Sequence, residues 1–166
     1  MVAAAPTLFG PLLNRAIWSA ARCFRGSFGQ VATPGAHAAA PGRIRGAGIE
    51  LGTLHWPGGG PPVVLLHGLD SSPWTWARVA ARLAPAHDTW AIALRGHGQS
   101  DTPTQGYALE DTTADLAAAL PALLSAPFHL IGHSWGGKVA LHFAAHHPAQ
   151  VRSLVLADPA PPEGLH

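Results

Sequence analysis

Cysteine is almost missing from this chain. Cys23 stands alone among 166 residues, which excludes an intrachain disulfide and a cysteine-based zinc site and leaves the redox compartment open. Long apolar runs are missing too. None approaches the ~20 residues that span a bilayer, so no membrane span is expected. Charge is sparse, at 11% of residues against 48% hydrophobic, a composition that builds a core rather than a disordered chain. One part of the chain lacks acids altogether. Residues 1–49 hold Arg15, Arg22, Arg25, Arg43 and Arg45 and no Asp or Glu. The remainder holds five basic and nine acidic side chains, with the basic ones scattered. That distribution carries no footprint of a nucleic-acid partner. The dinucleotide fingerprint G-x-G-x-x-G is also absent, since Arg95-Gly96-His97-Gly98 does not complete it.

Residues 1–42 are rich in Ala, Gly and Pro. Between Leu12 and Phe28 a helical wheel places Leu13, Ile17, Ala20, Phe24 and Phe28 on one side and Arg15, Arg22 and Arg25 on the other. An acid-free, Arg-bearing amphipathic helix looks like an organelle transit peptide. Gly26 and Gly29 weaken that helix, and a disordered extension fits the same composition. Both readings stay open. A transit peptide would send the protein to a mitochondrion or chloroplast; an extension would leave it cytoplasmic. The folded domain is expected over residues 43–166.

Within it, Arg43–Arg45 and Ile49–Trp56 read as a β-hairpin around Gly46-Ala47-Gly48. Val63-Val64-Leu65-Leu66 is an apolar run of strand length, as suits a central strand buried on both faces. Ser72 as N-cap and Pro73 at the first helical position open a helix that closes at Pro85. Residues 89–94 form the next strand, leaving through the glycine loop Arg95–Asp101. Residues 110–125 read as a helix whose early acids, Asp111 and Asp115, suit its dipole, and which Pro121 should kink or split. Phe128–Ile131 is a strand, Ser134–His147 a helix, Val151–Leu156 a strand, and 160–166 a loop. Strands alternating with helices imply an α/β fold: a mostly parallel sheet of about six strands with helices on both faces.

The most informative stretch is Gly132-His133-Ser134-Trp135-Gly136-Gly137, between the strand at 128–131 and the following helix. G-x-S-x-G in that context fits a nucleophile elbow; the plain alternative is a glycine-rich turn between a strand and a helix. An elbow's turn strains the nucleophile, so the residues two before and two after must be small, and Gly132 and Gly136 are. Gly137 lets the helix approach the strand. Ser134 would stand at a helix N-terminus, where unpaired N–H groups stabilise an oxyanion. Parallel sheets bind ligands beyond the carboxyl ends of their strands. His67-Gly68-Leu69, Arg95–Ser100, Ser134 and Asp158 all fall at such ends.

V-V-L-L-H-G-L at 63–69, L-R-G-H-G-Q-S at 94–100, L-I-G-H-S-W-G-G at 130–137 and V-L-A-D-P-A-P at 155–161 together resemble the α/β-hydrolase superfamily, among its esterase-like serine hydrolases. The resemblance runs over roughly residues 43–162. It implies Ser134 as nucleophile, with the N–H groups of Trp135 and Leu69 as the oxyanion donors. It implies structural roles for His67, Gly68, Gly132, Gly136, Gly137, Arg95, Gly96 and Gly98. Trp74 and Trp76 are expected to pack beneath the oxyanion loop. It implies a small acyl substrate, no cofactor and no metal.

The pattern then breaks. The family order is Ser, acid, His. Asp158 is the candidate acid, though a turn before Pro159 explains it equally. His142, His146 and His147 lie on the elbow helix, roughly 12 Å or more along its axis from Ser134, too far to take its proton. The strand Val151–Leu156 would be left with one unpaired side, an edge that invites self-association. The domain is thus expected to be a truncated α/β-hydrolase core. It could be the front of a longer reading frame, a short protein completed by a partner chain, or a non-catalytic binding module.

Overall fold

The computed structural model describes residues 38–159. The expected leader helix and the loop at 160–166 lie outside them. Six strands form one sheet: β1 (Ala40–Arg45), β2 (Glu50–Trp56), β3 (Val63–Leu66), β4 (Thr89–Ile92), β5 (Phe128–His133) and β6 (Val151–Ala157). Their spatial order is β1-β2-β4-β3-β5-β6. The pairs β4–β3, β3–β5 and β5–β6 are parallel, and the hairpin β1–β2 joins β4 antiparallel. Helix α1 (Ala77–Leu83) follows a 3-10 turn at Pro73–Trp76; α2 (Leu109–Leu123) and α3 (Trp135–His146) complete the layers.

Strand alternation divides the core between the two faces. Val64, Leu66, Ile92 and Leu130 pack with Leu116 and Leu120 of α2 and Val139 and Phe143 of α3. Val63, Leu65, Ala91 and Ile131 face the other way, onto Trp76, Val79 and Leu83. All four β3 residues are fully buried, as a central strand requires.

Several expectations need correction. β1 begins at Ala40, inside the stretch assigned to the leader, because its pairing with β2 starts at Ala40–His55. Ala40, Pro41 and Gly42 are poor strand formers, tolerated on an exposed edge. β4 ends at Ile92, two residues early. Ser72 holds the N-cap position of the 3-10 turn but makes no side-chain cap bond. α2 runs unbroken through Pro121. Pro121 lies in the last turn, so the bond it withholds is one of the helix's last. Asp111 does serve the N-terminus, accepting from the Ala108 N–H at 3.0 Å. Asp115 does not; it is buried against Arg95. Trp76 is buried, in the core with Val63, Leu65 and Val79, but Trp74 is 60% exposed, so Trp74 is not packed away as expected.

Among the described residues β6 pairs only with β5, and most of its side chains are half-buried. No helix there is long and apolar enough to cross a membrane.

Candidate active site

Four strand ends meet at one edge. Leu66 is level with both Ile92 and Gly132, and His133 with Ala157. The residues that follow therefore lie side by side: His67-Gly68-Leu69 after β3, Leu94–Ser100 after β4, Ser134 after β5 and Asp158 after β6.

Ser134 has φ 50° and ψ −116°, a conformation costly for a residue with a Cβ. Hydrogen bonds hold it there. Its N–H donates to Ala157 O at 3.1 Å, and its carbonyl accepts from Gly137 N at 2.9 Å and Lys138 N at 3.2 Å. Ser134 is thus the residue between strand and helix, at the N-terminus of α3. The adjoining main chain leaves no space: a Cβ on Gly132 would lie 2.1 Å from Gly136 O, and one on Gly136 2.5 Å from His67 O. Gly137 is less confined, its nearest neighbour being Pro159 Cβ at 3.3 Å. A Cβ on Gly68 would stand 3.1 Å from both Ser134 Cβ and His133 Nδ1. The loop after β3 therefore lies directly against the serine.

Among the described residues neither the Leu69 nor the Trp135 N–H donates a hydrogen bond. Both residues also line a cleft of about 210 Å³ with Arg95, His97, Tyr107 and Thr112. That is smaller than the roughly 300–1,000 Å³ of most small-molecule sites. Leu69 is 61% exposed and forms an apolar lip. Tyr107 and Thr112 were not singled out from sequence. Tyr107 occupies a polar stretch with no periodicity, and only its contact near Gly96 places it here. Asp158 is exposed, with φ 46°, at the end of β6.

His67 is fully buried and both ring nitrogens are engaged. Nδ1 donates to Gly68 O at 2.8 Å, and Nε2 accepts the Leu94 N–H at 3.1 Å. The neutral ring clasps the loops after β3 and β4 together. His97 lies beside it, ring centroids 5.0 Å apart, and donates from Nδ1 to Arg95 O. Gly96 and Gly98 shape this second loop with φ of 75° and 54°. Ser100 closes its base, donating to Ala93 O and accepting from Gly52 N. Among the described residues no histidine is hydrogen-bonded to Ser134 Oγ.

Burial, opposed by the bond to Gly68 O, pushes the His67 pKa down to about 4. Burial, with the charges of His87 and Arg152, pushes His129 down to about 4 as well. Unfolded, both would titrate near ~6.5, so between these values the unfolded chain binds more protons than the folded one. Their contribution to stability is therefore complete above pH ~6.5 and is lost as pH falls toward about 4. For His67 the loss is about 3 kcal/mol. Urea unfolding at pH 7, 6, 5 and 4 should show this slope, and His67→Gln should flatten it. An unchanged slope in the variant would assign the acid sensitivity elsewhere.

Residues 61–165 match the family model described as alpha/beta hydrolase fold. The chain is 36% identical over 121 residues to the N-formylmaleamate deformylase of Pseudomonas putida, an alignment covering 72% of this chain and 45% of that protein. It is 41% identical over 104 residues to the pimeloyl-[acyl-carrier protein] methyl ester esterase of Chromobacterium violaceum, covering 63% and 39% respectively. Among solved structures, E-2-(acetamidomethylene)succinate hydrolase superposes with a TM-score of 0.67 at 32% identity, over 70% of this chain and 43% of that one. The chain spans less than half the length of these relatives.

Proposed function

Because this chain belongs to the alpha/beta hydrolase fold family, we propose that Ser134 is the nucleophile of a hydrolase that cleaves carboxylic esters or related acyl compounds. The observation that carries this reading is the strained Ser134 backbone at the N-terminus of α3, hemmed in by Gly132 and Gly136. Ser134 Oγ attacks the acyl carbonyl while a base removes its proton. The carbonyl oxygen becomes an oxyanion, which the Leu69 and Trp135 N–H groups receive. The intermediate then collapses: the bond to the leaving group breaks, that group takes the proton, and an acyl-serine remains. Water attacks the acyl-serine and returns the free acid and the serine. Each oxyanion donor is worth roughly 2.7–4 kcal/mol.

Three histidines of residues 38–159 are poorly placed to act as that base. His67 is committed at both nitrogens, and His142 and His146 lie beyond the first two turns of α3. Asp158 is the candidate acid, at the strand end next to Ser134. A serine here argues against the superfamily's aspartate-nucleophile reactions, the haloalkane dehalogenases and epoxide hydrolases. A cofactor-free haloperoxidase or a carbon–carbon bond hydrolase uses the same motifs.

A second reading is a non-catalytic, hydrolase-like binding module. It is favoured by the engagement of both His67 ring nitrogens with Gly68 O and the Leu94 N–H rather than with the serine. A fluorophosphonate probe separates the two. The 166-residue chain should label slowly, at Ser134 alone by peptide mass, faster with added imidazole standing in for the base, and not at all as Ser134→Ala. Labelling that survives Ser134→Ala, or none at any imidazole concentration, would leave only the binding module.

A further inference from the structure

The far end of α3 carries a second pair of functional groups that the hydrolase reading does not use. His142 and His146 are four residues apart, so they share one face of the helix. Their rings lie together, centroids 4.2 Å apart and planes 37° apart. His142 is half-buried and His146 exposed.

The hydrogen bonds fix the tautomer of both rings. His146 Nδ1 meets the His142 carbonyl at 2.8 Å. A carbonyl only accepts, so Nδ1 carries the proton. His142 Nδ1 meets Thr113 Oγ1 of α2 at 3.1 Å. The Thr113 hydroxyl already donates its proton to Leu109 O at 2.8 Å, so it accepts from His142 Nδ1–H. In the neutral rings both protons are therefore on Nδ1, and both Nε2 atoms keep their lone pairs. Nε2 lies across the ring from Nδ1, so each is turned away from the group that holds its ring. Metal-binding histidines are prepared in this way: one nitrogen anchored as a donor to a carbonyl or other oxygen, the other bare.

We infer that His142 and His146 form a bidentate site on the outer surface of α3 for a divalent late first-row transition metal, bound through the two Nε2 atoms. Imidazole nitrogen suits Cu²⁺, Ni²⁺ and Zn²⁺ and not Mg²⁺ or Ca²⁺, which require oxygen ligands. Two histidines four apart on a helix are also the spacing that brings both rings to one zinc ion. Among the described residues the pair has no third ligating side chain beside it. His142 is eight residues past Ser134, about 12 Å along the helix, so the ion would clamp the C-terminal turn of α3 and lie outside the acyl site.

Calorimetric titration of the full chain with Ni²⁺ and with Zn²⁺ tests this independently of any activity. One ion should bind per chain through this pair, and Zn²⁺ should raise the melting temperature. His142→Gln and His146→Gln should each remove that binding and the thermal shift. His146 is exposed, so its variant should keep the wild-type circular dichroism. His147→Gln, on the neighbouring residue, should leave both unchanged. Thr113→Val removes the group that anchors His142 and should weaken binding roughly 10–100-fold. No binding by the wild type, equal binding by His146→Gln, or loss of binding in His147→Gln would overturn the assignment. Full affinity in Thr113→Val would overturn the claim that α2 prepares the ring.

Discussion

Gly132→Ala should lose at least about 3 kcal/mol of stability, at the top of the range for overpacking or above it. The added Cβ would stand 2.1 Å from Gly136 O, 2.5 Å from Gly136 C and 2.7 Å from Gly137 Cα. These are main-chain atoms at the start of α3, and no side chain can rotate to make room. Relief requires the helix to move off the sheet. Moving it would separate Val139, Ala140 and Phe143 from the strands they bury. Gly136→Ala should approach the same cost. Its Cβ would lie 2.5 Å from the carbonyl oxygens of Leu66 and His67 and would push β3 away from the elbow. Gly137→Ala should cost less, since its closest neighbours are at 3.3–3.4 Å. Gly59→Ala, with no atom within 4 Å of the new Cβ, should be near neutral. Urea unfolding of the four variants measures the series. A Gly132→Ala protein as stable as Gly59→Ala would mean that the helix does not approach the strand this closely.

The series also marks what was readable in advance. The elbow was legible because steric demand writes itself as glycine at fixed spacing around the serine. β3 was legible to the residue, since a strand buried on both faces must be apolar at every position. Of β1 only Arg43–Arg45 was legible; its first half was not, because an exposed edge strand is defined by its main-chain partners, and Ala40-Pro41-Gly42 carries no side-chain signal of pairing. The path of α2 through Pro121 depended on how near the helix end falls, which composition does not give. The Nδ1 bond from His142 to Thr113 joins residues 29 apart, and no local pattern announces it. The same holds for Asp115. Its position early in a helix suggested a dipole partner, while its true partner, Arg95, lies 20 residues back in a loop at the site. Local periodicity and steric spacing show in sequence, whereas long-range polar pairing does not.

That pair underlies the second large effect: Asp115→Ala should destabilise the fold by about 3–5 kcal/mol. The side chains of Arg95 and Asp115 are 8% and 1% exposed, and Arg95 Nε donates to Asp115 Oδ2 at 2.7 Å. The carboxylate holds the Arg95 guanidinium above its ordinary pKa. Asp115 Oδ1 accepts the Ala47 N–H from the β1–β2 turn at 3.1 Å, and Arg95 Nη1 donates to Gly106 O. Four segments thus meet at one ion pair: the hairpin turn, the loop after β4, the approach to α2 and α2 itself. Removing the carboxylate leaves a guanidinium charged and without its counter-ion, and the Ala47 N–H without an acceptor. Asp115→Asn keeps an acceptor but loses the charge, so it should fall between Asp115→Ala and the wild type. Arg95→Met combined with Asp115→Leu removes both charges and should recover part of the loss. Recovery should stop short, because the Ala47 N–H and Gly106 C=O then lose their side-chain partners. A urea-unfolding double-mutant cycle gives all of these values. Asp115→Ala within about 1 kcal/mol of the wild type would show that water reaches Arg95 in the folded state. The expected loss has a consequence at the site. Arg95 and His97 both line the cleft beside Leu69 and Trp135, so the ion pair that anchors their loop to α2 also sets the shape of that cleft wall.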